Sequence, residues 1–500
     1  MPALFKKINS PLKWILLAIF IKSLFFIWYT VAFSTTHWAK NDKIVAGVFV
    51  EAHDWGDYMM PIVNLVDKGF LGNETLKEKG DNGMLWAHRM PGFVPICAPL
   101  YYFFGYKGTC IVLAILQLIC DAIACYLVAW IALFLFKSQI AFNITFILYA
   151  LSSFVSVYTH YGSSESLCTF FIIISVYYFL KFTGENKSKY LFYCGLFITW
   201  AVFMRPAIGL MFALFPLLYF MNSSFMKELK LKKIISHLFI FGIVFFIVEA
   251  IWVYRNYNVL HRFVPLEISQ ENFGSPQYRA WIKFTSQMAC EQFNKDDKNA
   301  LRWFNPNFRN EPEVLNGNPF NEKNFTADFN FDSLKVLRNL NLLSTDTALA
   351  EEKRKQCGDL VLLKIDSYSK SLRINHVFRY YFINKLILLQ KFLFVKQTYA
   401  LPFIENSLYQ KSVRGANWLL NSFTIALGLL GMLLSIIQKN KLAFSISLLA
   451  LVHIFVHALI LGFIEHRYLV SVFPLLVIFS SLPLSLLFSK FFRAPKLNAA

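Results

Sequence analysis

Two carboxylates three residues apart, Asp54 and Asp57, stand in the run His53-Asp54-Trp55-Gly56-Asp57-Tyr58. The apolar rhythm that follows, at Ile62, Leu65 and Val66, suits an amphipathic helix resting on a membrane surface. A carboxylate at the start of such a helix can take a proton from an attacking hydroxyl, because partial desolvation and neighbouring charge tune its basicity. The same pattern also fits an ordinary helix cap at Asp54 and a solvated acid at Asp57.

Fixed cations recur at comparable places. His88-Arg89-Met90-Pro91-Gly92-Phe93 sets a guanidinium before a rigid Pro-Gly turn, and Arg205-Pro206 links two apolar runs. Arg255 ends a third run, Glu165 opens another, and Glu465-His466-Arg467-Tyr468 joins the last two. Singly, these residues read as interface anchors or, for Glu165, as a complement to a helix N-terminus. Gathered on one face, they describe a site for an anionic, lipid-borne substrate, since arginine grips phosphate with two parallel hydrogen bonds.

What must position them is a bundle of apolar helices. The chain is 56% hydrophobic, 18% aromatic and only 16% charged, more apolar than a soluble core can hide. Spanning helices need about 20 apolar residues, and such runs lie near 12–33, 108–136, 140–160, 166–181, 190–204, 206–221, 234–254, 416–437, 442–463 and 468–489. The piece 93–106 reads as re-entrant or juxtamembrane.

Lysines at 6, 7 and 13, then 137, then 181, 187 and 189, then 227, 230, 232 and 233, then 439 and 441, and finally Lys490, Arg493 and Lys496 mark alternate connections. With ten crossings all of these fall on the cytoplasmic side. The acids and arginines above then share the extracytoplasmic face. The first run has no small-residue cleavage site behind it and reads as an uncleaved anchor.

The expected fold is therefore an α-helical polytopic membrane protein of about ten transmembrane helices with a mixed extracytoplasmic domain. Residues 1–254 form an N-terminal transmembrane module with a first outer loop at 34–92, residues 255–415 the extracytoplasmic domain, and residues 416–500 a C-terminal transmembrane module. Turn-rich stretches at Asn305-Pro306-Asn307 and Asn316-Gly317-Asn318-Pro319 predict an irregular outer domain, and 379–398 reads as an amphipathic interfacial helix with Lys385, Lys391 and Lys396.

Polar residues inside the runs, Lys22, Gln117, Asp121, Glu249, His453 and His457, must face other helices rather than lipid. The two histidines lack an evident third ligand and read as packing or hydrogen-bonding groups. No CxxC pair exists, so the cysteines give no zinc motif, and a divalent metal is not indicated. Cys290 and Cys357 are the two cysteines of the outer domain and are candidates for a disulfide in an oxidising compartment. The net charge of +19 fits lysine-rich inner loops and anionic lipid; no nucleic-acid motif accompanies it.

In these residues the chain resembles the GT-C superfamily of membrane glycosyltransferases, in particular the bacterial family 39-like enzymes related to protein O-mannosyltransferases and the lipid A aminoarabinose transferase. Asp54, Tyr58 and Gly69 look like the family's first outer loop, Arg89, Pro91, Gly92 and Phe93 like its Arg-x-Pro-Gly-aromatic element, and Gln117 like the Gln of its next span. Glu165-Ser166-Leu167, Arg205-Pro206, Arg255-Asn256-Tyr257 and Arg467-Tyr468 resemble further elements in order over most of the chain. His53 and Asp57 depart from the pattern, which leaves the base open between Asp54 and Asp57, with Asp54 keeping the spacing to Tyr58.

The resemblance implies an inverting transfer of a sugar from a polyprenyl-phosphate carrier to a hydroxyl of an acceptor lipid, glycan or protein, at the outer face of the inner (plasma) membrane. Asp54 or Asp57 would be catalytic. Tyr58, Arg89, Glu165, Arg205, Arg255, His466 and Arg467 would bind substrate, with no cofactor beyond the lipid-linked donor. A transporter or flippase of lipid-linked sugars, or a glycan polymerase or ligase with a diphosphate leaving group, are the alternatives. Transporters tend to show repeats and polar residues at the midplane, whereas here the charges gather at the outer helix ends.

Overall fold

The computed structural model describes residues 10–35, 44–51, 54–74, 84–85, 89–222, 231–267, 275–290, 300–306, 318–394, 407–462 and 467–491. All ten apolar runs are helical, as backbone surrounded by hydrocarbon requires. Six helices are long and apolar enough to cross a membrane: Pro11–Phe33, Pro91–Phe136, Glu165–Glu185, Leu231–Leu260, Leu408–Ile437 and Lys441–Leu461. Gln139–Leu151 and Ser153–His160, bent by 42°, make a seventh if they form one span. The protein is a polytopic integral membrane protein.

The expected ten crossings are six or seven by length among the described residues. Ser188–Met204, Pro206–Asn222 and Phe473–Ser489 are shorter apolar helices. At about 1.5 Å per residue the first of these reaches only about 26 Å, short of a hydrocarbon core about 30 Å thick. The segment 93–106 is helical from Val94 and is set off from the long helix that follows, which ends at Phe136, by a break at Gly105 with φ 64° and ψ −172°, a combination essentially confined to glycine.

The chain forms two compact units, Met1–Ile268 with Thr398–His453 and Val470–Ala500, and Ser269–Gln397 with Ile454–Leu469. In the first, helices approach closely at glycines. A Cβ at Gly195 would overlap the Phe241 carbonyl, and one at Gly428 or Gly431 would overlap Leu476 or Phe479. Small residues at contact points are what lipid-embedded packing favours.

Three buried polar side chains of this unit, Lys22, Asp121 and Gln117, serve one segment. The bend at Ser152 frees carbonyls, and buried Lys22 donates to those of Tyr149 (3.0 Å) and Ser152 (3.4 Å) and to Ser156 Oγ (2.6 Å). Its ammonium also pairs with Asp121 at 3.1 Å, and Ser156 donates to the same carboxylate at 2.9 Å. Further along, Gln117 Nε2 donates to the Thr159 and Tyr161 carbonyls, both at 3.2 Å. Together they hold the turn 152–164, which leads into Glu165.

In the second unit, regular structure is helical, with helices Pro276–Gln287, Phe331–Ser344, Glu351–Asn375 and Asn384–Phe394 joined by irregular stretches and one isolated bridge, Thr326 to Phe329. Its core centres on Trp281, Phe284, Trp303, Phe304, Phe329, Leu337 and Val361. Cys290 and Cys357, the candidates for a disulfide, are both buried as free thiols. Within the described part of the expected interfacial helix, Lys385 donates to the Leu459 carbonyl at 2.5 Å and Lys391 to that of Ala289 at 3.0 Å; Lys396 lies outside the described residues.

Candidate active site

The helix carrying the paired acids runs Trp55–Lys68 and stops where Gly69 adopts φ 79°, the left-handed end that glycine enters at little cost. Its start is fixed from two sides. Trp55 Nε1 donates to the Tyr106 hydroxyl at 3.0 Å, and Tyr106 donates to Glu51 at 2.7 Å. The indole lies against Gly162, where a Cβ would overlap the ring, and the Gly162 amide donates to the Val50 carbonyl at 3.0 Å. The turn 152–164 thereby seats the helix.

Arg89 is set by its own turn. A Cβ at Gly92 would overlap the backbone of Phe203 and Met204, and Trp200 Nε1 donates to the Gly92 carbonyl at 3.0 Å. Only glycine lets the Pro91–Phe93 turn press against the end of the helix Ser188–Met204.

Asp54 occupies the N-cap position but makes no side-chain cap. Its carboxylate accepts from Arg89 at 2.9 Å, and the same guanidinium nitrogen reaches Asp57 at 3.3 Å. Neither acid is simply a solvated loop residue. The guanidinium also lies 5.3 Å from the Tyr58 ring centroid, within cation–π reach. Tyr58 donates to Ser164 Oγ at 3.3 Å, and Glu165, next in the chain, accepts from Arg205. Six predicted positions, Asp54, Asp57, Tyr58, Arg89, Glu165 and Arg205, thus come from four separated segments into one connected group.

Burial pushes the Tyr58 hydroxyl up to about 12, against the pull of Arg89 and with the help of Asp54. It remains a neutral donor at physiological pH. Burial works against the charge on Arg89, but Tyr58, Asp54, Asp57 and Glu267 outweigh it and hold the guanidinium above its ordinary range.

Beside this group lies a small cleft, lined among others by Asp57, Tyr58, Leu71, Arg89 and Trp252. Arg255 borders it indirectly, donating to the Leu71 carbonyl and, at 2.8 Å, to Asn256 Oδ1. Arg467 belongs to the second unit, with its guanidinium 5.6 Å from the Tyr468 ring; His53, His88, Glu465 and His466 lie outside the described residues. His457 stacks on Tyr468 with ring centroids 4.7 Å apart. Among the described residues no cluster of three or more His, Cys, Asp or Glu side chains is placed to hold a metal.

Sequence reasoning missed Trp252 and Ser164. Each had a local signal, since Trp252 lies one helical turn before Arg255 and Ser164 directly precedes Glu165.

Residues 96–254 match the family model described as dolichyl-phosphate-mannose-protein mannosyltransferase. Over these residues the chain is similar to that family of membrane glycosyltransferases. The matched stretch includes Glu165, Arg205, Gln117 and Trp252, while Asp54, Asp57, Tyr58, Arg89 and Arg255 lie outside it. No curated protein shows a significant match.

Among solved structures, the chain is similar to the archaeal oligosaccharyltransferase AglB from Archaeoglobus fulgidus in complex with an inhibitory peptide and a dolichol-phosphate, at 13% identity and a TM-score of 0.48, covering 99% of this chain and 53% of that one. The apo form of the Archaeoglobus fulgidus oligosaccharyltransferase is similar at 14% identity and a TM-score of 0.45, with 97% and 51% covered. The chain spans about half the length of these structures.

Proposed function

We propose that this protein is an inverting glycosyltransferase that moves a sugar from a polyprenyl-phosphate carrier to an acceptor hydroxyl on the extracytoplasmic side of the membrane. The observation that carries this reading is the cleft edge at which Asp54, Asp57 and Tyr58 meet Arg89, in a chain similar over residues 96–254 to a mannosyltransferase family. A carboxylate and a guanidinium side by side are the two groups the reaction needs.

In this reading Asp54 takes the proton from the acceptor hydroxyl as that oxygen attacks the anomeric carbon. The bond to the carrier phosphate breaks on the opposite face, so configuration inverts. Charge developing on the leaving phosphate is met by Arg89, with Arg255 reaching it if its guanidinium leaves the Leu71 carbonyl. The pair Glu165 and Arg205 fixes the floor beneath Tyr58, and the carrier enters from lipid. His466 and Arg467 are proposed as further substrate contacts on the strength of the sequence resemblance.

The test is turnover by the purified protein in nanodiscs with undecaprenyl-phosphate sugars and a panel of hydroxyl acceptors, following the released lipid. Release of the monophosphate supports the proposal. A diphosphate product would assign a polymerase or ligase, and sugar-lipid movement across vesicles without transfer a flippase. Reporter fusions at Lys187, Lys232 and Lys439 should read cytoplasmic and one at Asn73 extracytoplasmic; the opposite reading at Lys232 would move the site to the wrong side for this donor.

A further inference from the structure

The helix Leu231–Leu260, long and apolar enough to cross a membrane, carries a single acid, Glu249. A carboxylate inside a span is costly and is kept where it serves a function. Beyond Leu260 the chain turns at His261, with φ 53°, and folds back along the same helix. Asn256 Nδ2 donates to the Val264 carbonyl at 3.1 Å, Trp252 Nε1 donates to the Leu266 carbonyl at 2.5 Å, and the Leu266 amide donates to Glu249 Oε1 at 2.8 Å. At about 1.5 Å per residue, Leu266 has come back by roughly 12–16 Å from the helix end. Non-helical backbone at such a depth persists only where its N–H and C=O groups are satisfied within the protein. Glu249 and Trp252, neighbours on one helix face, satisfy both for Leu266, which is held at φ 54°, a region a leucine seldom enters.

This clamp reaches the cleft through Trp252. The indole lines the cleft beside Tyr58, Arg89 and Met90. It is fixed at its N–H by Leu266 and on its ring by the Arg255 guanidinium, 4.9 Å from the centroid. Trp252 and Val264 are buried with Met90 and Phe203, and Leu71 and Leu266 pack against them. The next residue, Glu267, adds a negative charge that favours the cation on Arg89.

We infer that Glu249 is a positioning residue of the transferase site: by fixing the returning segment 261–267 it fixes the Trp252 ring, which meets the first isoprene carbons of the carrier while Arg89 meets its phosphate. This rests on the reading of a polyprenyl-phosphate donor. An apolar ring beside a guanidinium suits the junction between an alkyl chain and its phosphate. For this role Glu249 needs an acceptor oxygen and not a charge, so an amide of the same shape serves it.

Calorimetric titration of undecaprenyl monophosphate into the purified protein reads the cleft, and hydrogen exchange over residues 261–267 reads the clamp. Glu249→Leu should weaken lipid binding by about tenfold and speed exchange, with turnover at saturating donor changed less than about twofold. Glu249→Gln, which keeps the acceptor, should bring binding and exchange back to wild type. Trp252→Phe keeps an aromatic ring but releases the Leu266 carbonyl, and should also weaken binding; combined with Glu249→Leu it should add nothing, because both changes break one clamp. Wild-type affinity in Glu249→Leu, equal losses in the Leu and Gln variants, or additive losses in the double variant would each overturn the inference. Should Glu249→Leu not fold, unchanged binding and exchange in Trp252→Phe would overturn it instead. If the wild-type protein does not bind the lipid phosphate, the donor reading falls and exchange alone decides the clamp: faster in Glu249→Leu and slow in Glu249→Gln supports it, and no difference between them overturns it.

Discussion

Two ion pairs in the first unit are built from the same chemistry and differ in enclosure. Lys22 and Asp121 are both almost wholly buried, and the ammonium is surrounded by two carbonyls, a hydroxyl and the carboxylate. Arg89 with Asp54 and Asp57 lies at a cleft, with side chains between 19% and 32% exposed, and keeps an Nε that no acceptor meets. The first arrangement is enclosed on all sides, and even the Asp121 oxygen that meets no donor is buried away from any cleft. The second is open, with partners that can be exchanged. The contrast separates a pair that shapes the protein from one that can act.

The closed pair gives the largest expected effect when broken. Lys22→Met strands a carboxylate among the helices, and loss of one partner of a buried pair costs about 3–5 kcal/mol. The protein should lose its thermal transition at the wild-type temperature, as followed by scanning fluorimetry in detergent. Adding Asp121→Asn should recover most of the loss. A double variant no better than the single one would show that the carbonyl contacts, not the charge pair, hold the turn 152–164.

The open pair should respond in rate rather than in stability. Asp54→Asn keeps shape and removes basicity, and is expected to lower transfer by about 100-fold or more while the carrier lipid still binds. Asp57→Asn should be milder. Transfer at the wild-type rate in folded Asp54→Asn would remove it from the chemistry.

Arg89→Lys preserves charge but loses the planar guanidinium, one terminal nitrogen of which reaches both carboxylates. We expect turnover to fall by roughly tenfold, about 1.4 kcal/mol, with a melting temperature close to wild type. A large drop in melting temperature would place Arg89 in the same class as Lys22. Arg255→Lys, which loses a contact to Leu71 at the border of the cleft, should change donor affinity only a few-fold, about 1 kcal/mol or less, measurable by the same lipid titration.

Much of this was legible in the sequence because hydrocarbon imposes simple rules. Each apolar run became a helix, and Lys22, Gln117 and Asp121 turned inward as buried polar groups must. Asp54, Asp57, Tyr58, Arg89, Glu165 and Arg205 converge because they sit at helix ends or loops joined by short connections. What composition could not show was who holds whom. Asp54 has a capping residue's position yet gives its carboxylate to Arg89, a choice decided by the turn that Gly92 allows. Likewise 379–394 has an amphipathic pattern, but Lys385 and Lys391 find carbonyls at Leu459 and Ala289, contacts between segments far apart in the chain. Span length did not follow from composition either, since Ser188–Met204, Pro206–Asn222 and Phe473–Ser489 are apolar yet shorter than the six helices long enough to cross a membrane.

Lys22 has one more consequence, in time rather than in space. Its hydroxyl partner, Ser156, is 134 residues further along the chain, an interval that takes roughly ten seconds to synthesise at about 5–20 residues per second. During that interval the first helix carries a lysine whose insertion costs about 2.5–3.5 kcal/mol at a helix centre. That lysine therefore subtracts from what the apolar residues of its helix contribute to insertion, until Asp121 of the second apolar run and Ser156 of the third have been made and can solvate it.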